Sequence, residues 1–432
     1  MNRDDEIDYK SIVEWRRNFH RYPEVGWTEF RTTVTLVTLL REMGLLVHVG
    51  TKVINPSFVM GRDTKLVESA IESVKKTLSL DQQKILDEMQ GYTGCVAVYD
   101  TGRPGKTVAL RFDIDCLSVS ENKSNDHYPV KQGFVSERDG FMHACGHDGH
   151  MSVGLGVAKW LAEYGEKSGL SGVVKLLFQP SEEGVRGAKP MAESGIMDDA
   201  QYFLGMHLGF IAKTKEIVVN PNNFLCTKKY DFRFFGVPAH AGAEPHVGVN
   251  ALSGACNAAT QMLGIPRHGK GMSRINVGVI RAGTSRNVIP AFGELQIEVR
   301  GETEEINTYM ANQAERIAQG VALGHNLRLE SELMGEAVDL NNDQEMVDML
   351  SSLVNQDSSL INVPSRSFGG SEDATILAKR CQSNGGKSLF FVVGSNLAGG
   401  HHQSNFDFDE SSLLIATKLF IASLLTLCES NK

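Results

Sequence analysis

The sequence predicts an α/β protein in which a mixed, mostly parallel sheet flanked by helices carries an inserted ferredoxin-like α+β domain. Three observations predict it. Helix and strand patterns alternate from His150 to Met206, the order that builds a parallel sheet. A β-α-β-β-α-β order runs from Lys228 to Leu333, as in a ferredoxin-like unit. Residue types that bind metals stand on both sides of that unit, at His143–His150 and at His401-His402, so the chain must leave the first domain and return if His402 is a ligand. The expected boundaries are residues 1–225 and 335–432 for a catalytic domain and 226–334 for the insertion.

Taken in order, Ile12 to His20 has the spacing of a helix. Thr28 can cap a second helix that runs to Met43 and stops at Gly44. Trp15, Phe19, Phe30, Val34 and Val37 recur at helical intervals and read as core. His20 and Arg21, just before Pro23, read as surface turn residues. Between Thr51 and Gln90, the positions Leu66, Val67, Ile71, Val74, Leu78, Ile85 and Met89 mark one or two amphipathic helices inserted between strands. That insert is either a partner-binding face or a packed addition. Cys95 to Tyr99 and Val108 to Phe112 are short β runs around a Gly-Arg-Pro-Gly turn, with Asp113 and Asp115 after the second.

Val173 to Phe178 and Tyr202 to Met206 are apolar strands separated by a helical pattern. In the insertion, Lys228–Gly236, Arg274–Arg281, Asn287–Gly301 and Leu327–Leu333 read as strands, and Gly248–Leu263 and Glu304–Ala322 as helices. Asp343 to Asn355 is a helix, and another follows Gly369-Gly-Ser-Glu-Asp373. Leu389 to Val393 is a buried strand that leads into the loop Gly399-Gly-His-His402.

Composition narrows the function. A chain of 432 residues is too long for one ordinary core, and 41% hydrophobic with 22% charged residues is the make-up of a soluble globular protein. A net charge of −9 argues against a nucleic-acid surface. No apolar run of about 18 residues is present to span a membrane, and Met1–Glu6 lacks the apolar stretch of a signal peptide. Seven scattered cysteines fit a reducing cytoplasm better than a disulfide framework.

The chemistry concentrates in His143-Ala-Cys-Gly-His-Asp-Gly-His150, where three histidines, a cysteine and an aspartate fall within one short stretch at a helix start. A thiolate or carboxylate is favoured there by the helix dipole. Phe178-Gln-Pro-Ser-Glu-Glu-Gly184 ends a strand with adjacent carboxylates. Such a pair can divide its roles, one binding metal and the other acting as general base, although alone it would only compensate a helix dipole. His207 and His402 close or follow further strands, and sites in open α/β sheets gather at that carboxyl edge. Arg286 and Asn287, at the turn Thr284–Pro290, suit a substrate carboxylate and amide. Arg300, which ends a strand, reads as part of a structural salt bridge.

Together, Cys145-Gly-His147, Glu182-Glu183, His207 and His402 resemble the motifs of the M20 family of metal-dependent amidohydrolases and aminoacylases, and Arg111-Phe-Asp-Ile-Asp115 resembles the family's Arg-x-Asp-x-Asp segment. Trp15–His20, Gly26–Arg31, Asp100–Gly105 and Phe406–Glu410 extend the resemblance over nearly the whole chain, toward the branch that cleaves p-aminobenzoyl-glutamate. The Thr51–Gln90 insert, absent from simpler aminoacylases, favours the same branch. Ser181 departs from the pattern, since alanine is common there.

The resemblance implies two divalent metal ions, Mn or Zn, held by a bridging Cys145 with His147, Glu183, His207 and His402. Glu182 is then the base; spacing alone does not decide between the two glutamates. His402, rather than His401, is spaced before Asp407-Phe-Asp as the family's ligand is. Gly236-Val-Pro-Ala-His240-Ala-Gly-Ala-Glu-Pro245 resembles the family's lid motif. His240 would thus donate to an oxyanion, in its own site or that of another subunit, unless it is a surface loop histidine. Asp115, Glu372 and Asp373 are candidates to orient ligands; Asp115 could equally cap a loop, and Glu372 with Asp373 could only start a helix. The insertion is implied to serve as lid and dimerisation surface. The implied reaction is hydrolysis of N-acyl amino acids, p-aminobenzoyl-glutamate foremost. The alternatives are a general N-acyl amino acid or hippurate-type amidohydrolase, or a metal-binding subunit without turnover on its own. The implied assembly is a homodimer or a heterodimer with a related subunit.

Overall fold

The computed structural model describes residues 6–428; Met1–Asp5, most of the stretch considered above as a possible leader, lie outside the described residues. The chain divides into two compact units. The first comprises Met1–Asn222, Leu340–Phe368 and Asp373–Lys432, and the second comprises Asn223–Asp339 with Gly369–Glu372. The short segment Gly369–Glu372, which the sequence pattern assigns to the flanking regions, groups with the second unit.

The first unit is built on an eight-stranded sheet. Its strand order is Leu46–Val49, Cys95–Asp100, Val173–Gln179, Thr107–Asp113, Tyr202–Leu208, Lys387–Val393, Glu216–Val218 and Ile361–Val363. Thr107–Asp113 runs parallel to both neighbours, and Tyr202–Leu208 runs parallel to Lys387–Val393. Antiparallel pairs attach Cys95–Asp100 and Glu216–Val218 to this parallel centre. Every residue of Thr107–Asp113 is buried, as a central strand covered on both faces requires. The chain passes from Val173–Gln179 on one side of it to Tyr202–Leu208 on the other, which makes a switch point whose carboxyl edge is the usual ligand crevice. Register pairs Asp113 with Gln179 and His207 with Val392, so the segments after these strands emerge along one edge.

The helix His147–Tyr164 is buried on nearly all sides from His147 to Leu161. Gly146, at φ 99°, turns the chain into it, a conformation that favours glycine. A Cβ on Gly154 would stand 2.7 Å from Phe112 and 2.8 Å from Phe178, so only glycine lets the helix lie this close to the sheet. No helix among the described residues is long and apolar enough to cross a membrane.

Two local expectations are corrected here. His20 is not a surface residue: it is fully buried, with Nδ1 2.9 Å from Asp148 and Nε2 3.0 Å from Glu121. Burial opposes its charge, but the two carboxylates outweigh it and raise its pKa to about 9. Thr28 does not cap the helix Phe30–Glu42. Its hydroxyl donates to the Val25 carbonyl, while Glu24 accepts the N–H groups of Arg31 and Thr32 at 3.2 and 2.8 Å.

The insert folds as two helices, Thr64–Lys75 and Leu80–Glu88, packed on Phe30–Glu42. Val67, Val74 and Ile85 face inward, whereas Leu66 and Leu80 are exposed. An Arg41–Glu88 ion pair at 2.6 Å adds to the contact.

The second unit is a four-stranded antiparallel sheet in the order Arg328–Ala337, Cys226–Phe235, Phe292–Gly301, Ser273–Ala282, with helices Ala251–Leu263 and Glu304–Gly324. This is the ferredoxin-like arrangement. Phe232, Phe234, Leu295, Val299, Met310 and Ala314 fill its core. One strand begins at Phe292 rather than Asn287, since Pro290 has no N–H for the ladder. One helix begins at Ala251 rather than Gly248, where the Asn250 side chain accepts the Ser253 N–H at 3.0 Å.

Candidate metal centre

At the carboxyl edge of the first unit's sheet, Cys145, His147, Glu182, Glu183, His207 and His402 come together. The donor atoms of Cys145, His147 and His207 lie within 4.8 Å of one another, as do those of Cys145, Glu183 and His402, and those of His147, Glu182 and Glu183. Cys145 is common to the first two groups, which is where a bridging thiolate would stand. Its Sγ is 3.5 Å from His207 Nε2, and Glu183 Oε2 is 3.5 Å from His402 Nε2.

Neighbours fix the aim of these side chains. His147 Nδ1 is 2.9 Å from the Asp115 carbonyl, and His207 Nδ1 is 2.8 Å from the Leu208 carbonyl. A carbonyl only accepts, so Nδ1 carries a hydrogen in both rings and Nε2 is the nitrogen turned toward the centre, the atom through which imidazole would bind a metal. His147 Nε2 and Glu183 Oε1 are buried with no hydrogen-bond partner among the described residues. Leaving such atoms unsatisfied costs about 1–3 kcal/mol each, and a divalent cation satisfies both. Thiolate, imidazole and carboxylate donors together fit Zn or another borderline metal.

Asp115 both orients a ligand-type side chain and caps a loop. Besides its contact with His147, its Oδ1 and Oδ2 accept the N–H groups of Glu182 and Glu183, each at 3.0 Å. The loop bearing His402 is tied to residue 144 by a bond from the His402 N–H to the Ala144 carbonyl at 2.8 Å. His401 belongs to none of the donor groups; its buried ring lies 5.3 Å from that of His207 and 5.0 Å from that of Phe406.

The electrostatics suit a site that exchanges protons for metal. Burial, opposed by His147 and reinforced by Asp115 and Asp113, pushes the Glu183 carboxyl up to about 8. Burial likewise drives the Cys145 thiol well above its ordinary value and His207 well below. For His147, burial opposes the charge, yet Asp113 and Asp115 prevail and raise the pKa. Ligands of this kind release their protons as a metal binds.

Several residues have supporting contacts that the sequence reading did not assign to them. His150, the third histidine of the stretch, bonds Asp113 at 2.6 Å through Nδ1 and accepts the Leu208 N–H at 3.0 Å through Nε2, pinning the strand end beside His207. Arg111 donates to Asp113 at 2.7 Å and to Asp373 at 3.1 Å, and Asp373 also accepts from Gln179 and the Ala188 N–H. Asp373 therefore braces the strand ends. Glu372 is buried, in the segment that groups with the second unit. Arg16 is buried between Asp148 at 2.9 Å, Asp407 at 2.5 Å and Glu410 at 3.1 Å. It joins the helix that begins with His147 to the segment after His402. The Trp15–His20 motif was the available signal, but it does not name these partners.

Within the second unit, the two sequence motifs are adjacent. His240 bridges to Val288, and the Ala241 N–H donates to the Asn287 carbonyl at 3.0 Å. His240 is exposed; its Nδ1 accepts the N–H groups of Gly242 and Ala243 at 3.1 and 3.0 Å, so its Nε2 carries the hydrogen. Arg286 is exposed and makes no hydrogen bond or ion pair among the described residues, and Asn287 Oδ1 accepts from Ser285 at 2.6 Å. Arg300 pairs with Glu298 at 2.6 Å, as a structural salt bridge.

The profile of peptidase family M20/M25/M40 matches residues 109–426. A Haemophilus influenzae homolog of one p-aminobenzoyl-glutamate hydrolase subunit is 50% identical over 416 residues, covering 96% of this chain and 97% of that protein. The indole-3-acetyl-aspartic acid hydrolase of Enterobacter agglomerans is 38% identical, covering 96% of this chain and 95% of that protein. The crystal structure of an aminobenzoyl-glutamate utilization protein from Klebsiella pneumoniae aligns with a TM-score of 0.81 at 34% identity, over 96% of this chain and 95% of that one.

Proposed function

The chain belongs to peptidase family M20/M25/M40, and from that premise we propose that it hydrolyses the amide bond of N-acyl amino acids. The leading substrate is p-aminobenzoyl-glutamate, split to p-aminobenzoate and glutamate. The observation that carries the reaction is the convergence of Cys145, His147, Glu183, His207 and His402, with the Glu182 carboxylate beside them. A storage or sensor site has no use for that extra base. Two of the relatives above support the substrate, since the amides they are named for join an aromatic acyl group to glutamate or aspartate. An aromatic acyl group has aromatic neighbours at hand: the Phe210 ring lies 5.4 Å from that of His207 and 4.5 Å from that of Phe368.

A pair of divalent ions, Mn or Zn, held by Cys145, His147, Glu183, His207 and His402 would supply Lewis acidity to water and to the scissile carbonyl. Glu182 takes the proton of the attacking water and passes it to the leaving nitrogen. Asp115, holding the backbone of both glutamates, keeps base and ligand at a fixed separation. His240 donates its Nε2–H to the developing oxyanion, and by family resemblance it serves the site of another subunit. Arg286, beside Asn287, takes the substrate α-carboxylate as a forked donor. One relative is named for a single subunit of its hydrolase, which favours a heterodimer with a related chain over a homodimer. A native mass measured after co-purification tests that choice.

The function is tested by comparing kcat/KM for p-aminobenzoyl-glutamate, N-acetyl-glutamate and hippurate, before and after removal of metal with a chelator. The first should lead, and all activity should follow metal content. A metal-loaded protein that turns over no N-acyl amino acid, alone or with its co-purified partner, overturns the proposal.

Carboxylate recognition has its own test. The protein is acidic overall, so selection of an acidic substrate has to be local. Arg286 is exposed without substrate; where the bound substrate encloses it, losing one side of the buried guanidinium–carboxylate pair costs about 2–5 kcal/mol, so Arg286→Ala should lower kcat/KM for p-aminobenzoyl-glutamate by tens to thousands of times. The loss should shrink for the analogue with an amide in place of the α-carboxylate. Equal losses on both would make Arg286 a structural residue.

A further inference from the structure

Three successive N–H groups of the turn that bears the glutamate pair are each held by a carboxylate oxygen. Ser181 N–H donates to Glu29 Oε1 at 2.8 Å, Glu182 N–H to Asp115 Oδ1 at 3.0 Å and Glu183 N–H to Asp115 Oδ2 at 3.0 Å. Asp115 is already part of the site through His147. Glu29 is not: its carboxylate binds the Ser181 N–H and, at 2.7 Å, the Thr93 hydroxyl.

A helix cap does not explain it. Glu29 occupies the N-cap position of Phe30–Glu42, yet its side chain makes no capping bond; Glu24 performs that role for Arg31 and Thr32. Glu29 is instead wholly buried and directed at a segment 152 residues away in the chain. A buried carboxylate is costly unless it is well bonded, so this placement calls for a return.

The turn itself needs support. Ser181 and Val185 both stand at φ 55°, a region unfavourable to residues with a Cβ and most of all to a branched one. Gly26 leaves room for it, since a Cβ there would lie 2.4 Å from Ser181 Oγ. A strained turn keeps one shape only when its surroundings over-determine it.

We propose that Glu29 is a positioning residue for Glu182 and Glu183, which holds the Ser181 N–H where the strained turn begins and so sets the aim of both carboxylates. The inference rests on the roles proposed above for that pair. Burial, with the nearby Asp115 charge, pushes the Glu29 carboxyl up to about 8. Glutamine therefore reproduces its neutral form and keeps the oxygen that accepts from Ser181.

The test compares Glu29→Met with Glu29→Gln. Manganese(II) chloride is titrated calorimetrically into chelator-stripped protein, and kcat and KM are measured on p-aminobenzoyl-glutamate. Removing a group that orients metal ligands costs about 10–100-fold in affinity or rate. Glu29→Met should thus weaken manganese binding and lower kcat by about that factor, with KM little changed, and Glu29→Gln should recover most of both. A folded Glu29→Met with wild-type affinity and kcat overturns the proposal, as does Glu29→Gln damaged to the same extent. If circular dichroism shows that Glu29→Met does not fold, Glu29→Asp replaces it, because the shorter side chain draws the carboxylate back from the Ser181 N–H. A clear fall in manganese affinity and kcat is then expected, and wild-type values overturn the proposal. Calorimetry needs no substrate. Weakened manganese binding by Glu29→Met, with no turnover even in the wild type, would sink the substrate assignment and support the positioning role.

Discussion

Glu182→Gln should lower kcat by about 10²–10⁴-fold, the usual contribution of a positioned general base, while the protein keeps its metal. Glutamine has the shape of glutamate and leaves the backbone N–H that Asp115 holds at 3.0 Å undisturbed, but it cannot take a proton from water. Metal retention is expected because Glu182 belongs to no donor group that contains Cys145, whereas Glu183 joins Cys145 and His402 as well as His147. Metal content by mass spectrometry, measured beside single-turnover rates, decides the matter. If activity and metal vanish together, Glu182 is the ligand and Glu183 the base.

His240→Ala should lower kcat by about 10²–10³-fold with metal intact, the cost of removing one oxyanion donor. Two backbone N–H groups occupy Nδ1, so the ring meets its surroundings with an Nε2–H. The same variant tests where the histidine acts. If each site pairs its own Glu182 with the His240 of another copy, a hybrid dimer of His240→Ala and Glu182→Gln chains contains one intact site. A random mixture would then recover about a quarter of the wild-type rate, as two-fold assembly dictates. No recovery in hybrids of verified composition would place both residues in one chain's site.

The candidate site residues were legible because they are compact in sequence. Cys145 and His147 share one turn, Glu182 and Glu183 another, and His207 and His402 stand at or just after apolar strands that periodicity marks. The ferredoxin-like unit was legible for a related reason: its strands and helices alternate with lengths and spacings that local pattern reports. Strand order was not. Cys95–Asp100 and Thr107–Asp113 follow one another in the chain, yet Val173–Gln179 lies between them in the sheet. No local pattern distinguishes that arrangement from direct pairing.

By itself, the sequence determined the fold class, the pattern of elements and the candidate donors, since these follow from hydrophobic period, turn chemistry and the affinity of particular side chains for metal. Tertiary structure alone decided what aims the donors. His20 looks like a surface turn residue until Glu121 and Asp148 enclose it. Glu29 looks like a helix-start residue until Ser181 meets its carboxylate, and Arg16 like one arginine of a motif until three carboxylates surround it. The physical reason is the same in each case. A buried charged or polar group is tolerated only where opposite charges or hydrogen-bond partners converge on it, and that convergence is between segments far apart in the chain, so no pattern along the chain records it.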